Sequence, residues 1–243
     1  MSDYRLKFDY HTHTVNSDGK GSIEDNVRAA VQKGLSGIAI SDHGPGHLLN
    51  GINKRKTENM RAEIDRLRGI YTGIDIFLSV EANIIYVKNR IDVDPCEFGN
   101  YDFIIAGYHY AVRYGSAAAN FIHNRSPDTL PGRGSLKSRN TDMVVRAIYE
   151  NPIKILTHPG DKGPFDIAEI ARACADRGTW IEINNKHCSL TREDIRSAAG
   201  AGVKFVLSSD AHSSEKVGDC SRGIEEAIKA GLDFGVIVNI AER

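Results

Sequence analysis

Two patterns of apolar residues alternate along the chain. Short runs rich in Ile, Val, Phe and Leu are followed by longer amphipathic stretches, the signature of strand–helix units. RLKFDY reads as a strand that runs into a polar cluster at His11. SIEDNVRAAVQKG has apolar positions at helical spacing, with Ser22 placed to cap the first turn and Gly34 to stop the last. LSGIAIS is a buried strand ending at Asp42, and residues Arg55 to Arg68 form the next helix. DIFLSVEANI and YDFIIAGYH read as strands, Asp142 to Tyr149 as a helix and KILTHPG as a strand. DIAEIARACADRG with TWIEINN, TREDIRSAAGAG with VKFVLSSDAH, and SRGIEEAIKAG with LDFGVIVNI repeat the pair.

Seven or eight such units predict a parallel α/β architecture, a closed barrel ahead of an open doubly wound sheet. The stretch from Ala111 to Ser138, rich in Gly, Ser, Pro and Ala, breaks the rhythm. Because strand–helix units continue on both sides, it is expected to be a long excursion over one face of a single domain covering residues 1–243, able to act as a lid and substrate selector.

Composition narrows the class. With 41% hydrophobic residues in 243, the chain can bury a sizeable core, which excludes a disulfide mini-protein and a disordered chain. Thirty-one basic against thirty-two acidic residues leave a net charge of -1 and no general field for a polyanion such as duplex nucleic acid. No apolar run is long enough for a membrane span and none precedes the first strand, so a cytoplasmic protein is expected. Cys96, Cys174, Cys188 and Cys220 are scattered without a CxxC pair, which argues against a zinc knuckle, a redox centre or a disulfide framework.

The histidines change the picture. In HTHTVNSDG, an extended backbone turns His11 and His13 to the same side, and Asp18 can return from the following turn. SDHGP follows IAI; His43 is the expected ligand there, and Asp42 orients a ligand from behind. Glu81 lies among Phe77, Leu78 and Val80, where an unpaired carboxylate would be costly and a cation would compensate it, and it could also bridge two cations. His109 closes FIIAGYH and His158 closes KILTHPG, while Asp210 and His212 repeat the two-residue spacing of the first pair. In a parallel α/β fold, side chains at successive strand ends converge on one rim.

These nine candidate ligands exceed what one four-coordinate ion consumes. They imply two or three divalent ions sharing a carboxylate, with positions open to water. Zn²⁺ suits the histidines best, with Mn²⁺ or Fe²⁺ as alternatives. Glu81, Asp210 and His212 are expected to take part in the reaction itself. Arg113, Arg139, Lys186 and His187 are candidate phosphate contacts, and Arg125 and Arg133 lie in segments able to reach the rim. His47 and His123 stand outside the ligand set, and Asn184 and Asn185 follow an apolar strand near the rim.

In this order, HTHTVNSDG, SDHG, the glutamate of SVEAN, GYH, THPG and SDAH resemble the polymerase-and-histidinol-phosphatase (PHP) family, over nearly the whole span from His11 to His212. The chain looks most similar to small stand-alone bacterial phosphatases of the YcdX-like group and more loosely to histidinol-phosphate phosphatases. Asp18 stands where some of these members carry histidine. The resemblance implies a distorted seven-stranded βα barrel, TIM-barrel-like, with a trinuclear centre. It would place His11, His13, Glu81 and Asp210 on one ion, Glu81, His109 and His158 on a second, and Asp18, His43 and His212 on a third, with Glu81 as the bridge.

The expected reaction is hydrolysis of a small-molecule phosphate monoester by activated water, releasing inorganic phosphate. No GxxxxGK[ST] loop is present. The alternatives are a nucleotide phosphodiesterase or 3′-end nuclease acting on a short nucleotide, an amide or lactone hydrolase, and a noncatalytic metal-binding protein. Oligomeric state is open.

Overall fold

The structure is a computed structural model describing residues 4–113 and 132–242. Among these residues, strands and helices follow in the order β1 (Tyr4–Leu6), β2 (Phe8–Thr12), α1 (Ile23–Gln32), β3 (Gly37–Ile40), α2 (Lys54–Ile70), β4 (Asp75–Asn83), β5 (Phe103–Gly107), α3 (Arg133–Glu150), β6 (Ile153–Leu156), α4 (Ile167–Arg177), β7 (Trp180–Asn184), α5 (Arg192–Gly200), β8 (Phe205–Ser208), α6 (Ser221–Ala230) and β9 (Ile240–Glu242). Strands β2 to β8 form one seven-stranded parallel sheet in sequence order. The sheet closes on itself where Thr12 bridges Ala211 and the His13 amide donates to the Ala211 carbonyl at 2.8 Å. The architecture is therefore the closed parallel barrel that the alternating pattern predicted, in the distorted (βα)7 form that the family resemblance implied.

Period-two alternation explains how the interior is filled. Along β5, Ile104 and Ala106 pack in the large helix-facing core, while Ile105 joins Ile155 of β6 and Val206 of β8 in a small inner cluster. Aromatic side chains plug the amino-terminal end: the Tyr10 ring lies 5.8 Å from Phe103 and 5.7 Å from Trp180. Two residues along the same face, each strand passes from this apolar layer towards polar side chains. Phe77 leads through Ser79 to Glu81 and Asn83 on β4, and Trp180 leads to Glu182 and Asn184 on β7. The barrel is thus apolar at one end and acidic at the other.

Local signals set the helix ends. Ser22 caps α1 through a reciprocal box with Asp25, its Oγ accepting from the Asp25 amide at 3.1 Å, and Gly34 follows with φ of +70°. Asp9 ties the seam: its carboxylate accepts from the Ser209 amide at 3.1 Å, the Ser209 hydroxyl at 2.5 Å and the Gly218 amide at 2.7 Å.

Three elements differ from the sequence pattern. RLKFDY divides into β1 and β2, because β1 leaves the barrel to pair antiparallel with β9. LDFGVIVNI supplies a short 3₁₀ turn at Phe234–Val236 rather than an eighth barrel strand. The helix expected from Asp142 already begins at Arg133, within the stretch read as an excursion, after Gly132 turns the chain with φ of +85°. Its polar first turns, RGSLKSRN, hide the helical period. Residues 114–131, and with them the lid, His123 and Arg125, lie outside the described residues, as does the Arg133 side chain. All four cysteines are free, and among the described residues no helix is long and apolar enough to cross a membrane.

Candidate metal centre

Barrel closure brings the two ends of the ligand pattern together. His11 and His13 leave β2, whose register against β3 shifts between Asp9 and Thr12, directly beside Asp210 and His212 at the end of β8. Beyond β3, the SDHG segment continues alongside β4, with His43 bridging Glu81 and the Gly44 amide donating to the Glu81 carbonyl at 2.8 Å. Gly107 lets β5 approach β6, since a Cβ there would lie 2.2 Å from Thr157 Oγ1. His158 and Asp210 adopt φ of +30° and +53°. Such backbone costs on the order of 1–3 kcal/mol per residue and persists where surrounding structure enforces it, typically at functional sites.

The donor atoms converge in three groups. His11 Nε2 and His13 Nε2 are 3.0 Å apart; Glu81 Oε2 lies 3.4 and 3.6 Å from them, and Asp210 Oδ1 lies 3.8 and 3.3 Å away. Bonds of about 2.0–2.1 Å at tetrahedral angles separate ligand atoms by about 3.3 Å, so this set has the spacing of one zinc-sized ion. The other oxygen of Glu81, Oε1, is 2.8 Å from His158 Nε2 and 3.4 Å from His109 Nε2. Asp18 Oδ2 is 3.4 Å from His43 Nε2 and 3.3 Å from His212 Nε2. His43 stands between groups, because its Nδ1 is also 3.0 Å from Glu81 Oε2. Seven of the nine residues are buried, and Asp18 and His212 are partly exposed.

Unsatisfied atoms test whether a cation fits. Glu81 Oε2, Asp210 Oδ1 and His43 Nδ1 are buried, and the imidazole and carboxylate atoms near them, although as close as 3.0 Å, do not meet them in hydrogen-bond geometry. Two carboxylate oxygens facing one another's histidines in a dry interior carry a desolvation penalty that divalent ions would offset. The donor set therefore fits divalent metal.

Electrostatics point the same way. Burial pushes the Glu81 carboxyl upward, but the His11 and His109 imidazoles outweigh it and hold Glu81 well below its ordinary value. Asp210 is buried too, yet His11 and His13 hold it well below the usual range. Burial holds His13 down to about 3 and His109 down to about 4. At His11, His43 and His158 burial is outweighed by the neighbouring carboxylates, which hold these imidazoles up, His43 to about 10, so the acidic interior draws positive charge that a divalent ion would supply in place of the protons.

A supporting shell fixes the imidazoles. Glu182 Oε1 is 2.9 Å from His11 Nδ1, and Glu182 Oε2 accepts from the His158 amide at 2.8 Å. Asn83 Oδ1 is 2.7 Å from His109 Nδ1, with the Asn83 side chain held by Asp92. Asp42 accepts from the Thr14 amide at 2.7 Å and from the Thr14 and Ser17 hydroxyls at 2.6 and 2.5 Å, so it pins the turn that delivers Asp18. Glu182 escaped the sequence reading. Its signal was present: EAN at Glu81 recurs as EIN at Glu182, a carboxylate and an amide on one face of an otherwise apolar strand. Replacing Glu182 with Gln is expected to weaken zinc binding by about ten- to a hundredfold, as loss of an orienting carboxylate does, read by competition with a chromophoric chelator.

A cavity of about 280 Å³ opens onto the centre, with Asp18, His43, His109, His158, Asp210 and His212 in its wall. Lys186 and His187 also line it. Lys186 Nζ is 3.0 Å from both ring nitrogens of His212, and His187 Nδ1 is 3.2 Å from Asp161 Oδ2. His47 lines it as well, stacked on His43 with centroids 4.6 Å apart. Two predicted phosphate contacts lie elsewhere. Arg113 is exposed in a neighbouring cavity of about 340 Å³, and Arg139 lies on α3 with its guanidinium 5.5 Å from the Tyr86 ring centroid. Asn184 holds Asp210 through a 3.2 Å hydrogen bond, whereas Asn185 accepts from the Arg222 amide at the start of α6.

A parallel barrel whose acidic end gathers histidines and carboxylates around an open cavity has the form of a divalent-metal enzyme. A model of the PHP domain matches residues 9–186, and the chain belongs to that family. It is 31% identical to a protein named "probable phosphatase" from Caldanaerobacter subterraneus subsp. tengcongensis, over 96% of this chain and 85% of that one. It is 27% identical to another of that name from Thermoanaerobacter sp. (strain X514), over 97% and 91%. Among solved structures, its fold is similar to histidinol phosphate phosphatase from Lactococcus lactis complexed with zinc, L-histidinol and phosphate, with a TM-score of 0.63 at 17% identity over 94% and 95% of the two chains. Taken with the family, the site makes the chain a metal-dependent phosphoesterase.

Proposed function

We propose that the protein is a phosphomonoesterase that releases inorganic phosphate from a small phosphorylated molecule, and that residues 1–243 form one working domain. The observation that carries this reading is Glu81, whose two oxygens face separate donor groups beside an open cavity. His11, His13, Glu81 and Asp210 would hold one ion, Glu81, His109 and His158 would hold a second, and Asp18, His43 and His212 would hold a third. Zinc, which the Lactococcus lactis protein holds, suits the set best, with manganese and iron as alternatives.

When bound, the ions supply Lewis acidity towards phosphate oxygens and an ionised water at neutral pH. The chain's own residues do the rest. Glu81 fixes the spacing of the first two positions, while Glu182 and Asn83 hold the His11 and His109 rings in place. Lys186 lies on the cavity wall within reach of a phosphate oxygen. His187, with its Nδ1 3.2 Å from Asp161 Oδ2, lines the same wall.

Orthophosphate release from p-nitrophenyl phosphate tests the reading. Chelation is expected to abolish turnover and added zinc, manganese or iron to restore it. Undiminished activity in metal-free protein, or no release with any of the three ions, would sink it.

A further inference from the structure

A second cavity, of about 300 Å³, shares a wall with the centre. Lys186, Asp210 and His212 border both, and on the far side stand Lys20, Lys216 and Asp219. The lysines arrive on the same loops that deliver the centre. Asp18 and Lys20 lie on one turn, pressed so closely on the end of β2 that a Cβ at Gly19 would come within 2.5 Å of the His13 carbonyl carbon. The Lys20 amide then donates to the His212 carbonyl at 2.8 Å, which fixes this turn against the β8 loop. Lys186 follows β7, and Lys216 closes the short turn beyond His212.

The charges in this second cavity do not cancel. Asp219 is paired with Lys216 at 3.2 Å and accepts from the Ser221 hydroxyl, and Asp210 faces the centre. Lys20 makes no ion pair within 4.0 Å among the described residues. Lys186 lies 3.9 Å from Asp210 and otherwise faces the His212 ring, an imidazole that a cation would occupy. One ammonium group, that of Lys20, whose nearest acidic influence is the exposed Glu215, is therefore left for a ligand, with Lys186 on the wall between the two cavities. Lysine binds carboxylate and phosphate alike as a point charge.

We propose that this cavity is a specificity subsite for a second anionic group on the substrate. It selects acidic phosphomonoesters, phosphorylated hydroxy acids or bisphosphates, over neutral and amino-alcohol phosphates. The inference rests on the phosphomonoesterase reading, and three measurements on zinc-loaded protein separate the two.

Calorimetry with non-hydrolysable phosphonates comes first. 3-Phosphonopropionate is expected to bind about tenfold more tightly than propylphosphonate, and Lys20→Met to bring the two within about twofold. Lys20→Gln provides a second variant should the first fail to fold. Turnover should rank 3-phosphoglycerate and propane-1,3-diol bisphosphate above glycerol 3-phosphate, and that above phosphoethanolamine; the order of the first two tells carboxylate from phosphate. Equal affinity for the two phosphonates in the unaltered protein, or a ratio untouched by Lys20→Met, would overturn the subsite. If p-nitrophenyl phosphate is hydrolysed in that case, only the subsite fails. If it is not hydrolysed at all, the phosphomonoesterase reading fails and the subsite with it.

Discussion

Glu81→Gln is expected to lower turnover by on the order of a thousandfold, while the protein stays folded. The amide keeps the volume of the carboxylate but gives up its charge, and its NH2 group cannot bind a cation. Because Oε2 faces the His11 and His13 pair and Oε1 faces His109 and His158, one substitution weakens both groups together. Metal content after dialysis, measured by atomic emission, should fall by more than one ion per chain. Circular dichroism should keep the signature of the parent, since the buried carboxylate adds to function and not to packing. Parental turnover in a folded Glu81→Gln protein would remove Glu81 from the centre.

The double substitution of His11 and His13 by Ala is expected to reduce metal occupancy and turnover in parallel, to within the background of the metal-free protein. Their Nε2 atoms, 3.0 Å apart, are two of the four donors in the group whose spacing best fits one ion. Removing both leaves Glu81 Oε2 and Asp210 Oδ1, which already lack hydrogen bonds, facing a cavity rather than a cation. The metal-free protein should therefore lose stability as well, because the imidazoles that offset these buried carboxylates are gone. The melting temperature of the metal-free form is expected to shift by a few degrees, while the increase on adding zinc, present in the parent, disappears. Full activity in a folded double variant would overturn the ligand assignment.

The substitutions act on residues that the chain announces in different degrees. His11 and His13, the Asp210 and His212 pair, and the histidines closing FIIAGYH and KILTHPG were legible because polar titratable groups end apolar strands there, and a parallel fold collects such ends on one rim. Glu182 was harder to see. Its neighbours Trp180, Ile181 and Ile183 read as a buried strand, and a single carboxylate within one has the look of a local exception until His11 is found 2.9 Å away, 171 residues earlier in the chain. Asp9 was invisible for the same reason: its partners, Ser209 and Gly218, are about two hundred residues distant. Arg113 and Arg139 mark the opposite failure. Proximity to a rim segment says nothing about which way a long side chain runs, and these two run into a neighbouring cavity and over the Tyr86 ring.

What the sequence by itself determined was the succession of strands and helices, the capping of α1 by Ser22 and the chemical identity of the donors, because hydrophobic period, cap residues and ligand atoms are local properties. The tertiary structure alone decided which donors share a position. Closure between Thr12 and Ala211 sets the first strand beside the last and so makes His11, His13 and Asp210 one group. The run of the SDHG segment beside β4 puts His43 between Asp18 and Glu81. Distances of this kind depend on how strands far apart in sequence are registered across the barrel, and register is fixed by packing over the whole closed sheet.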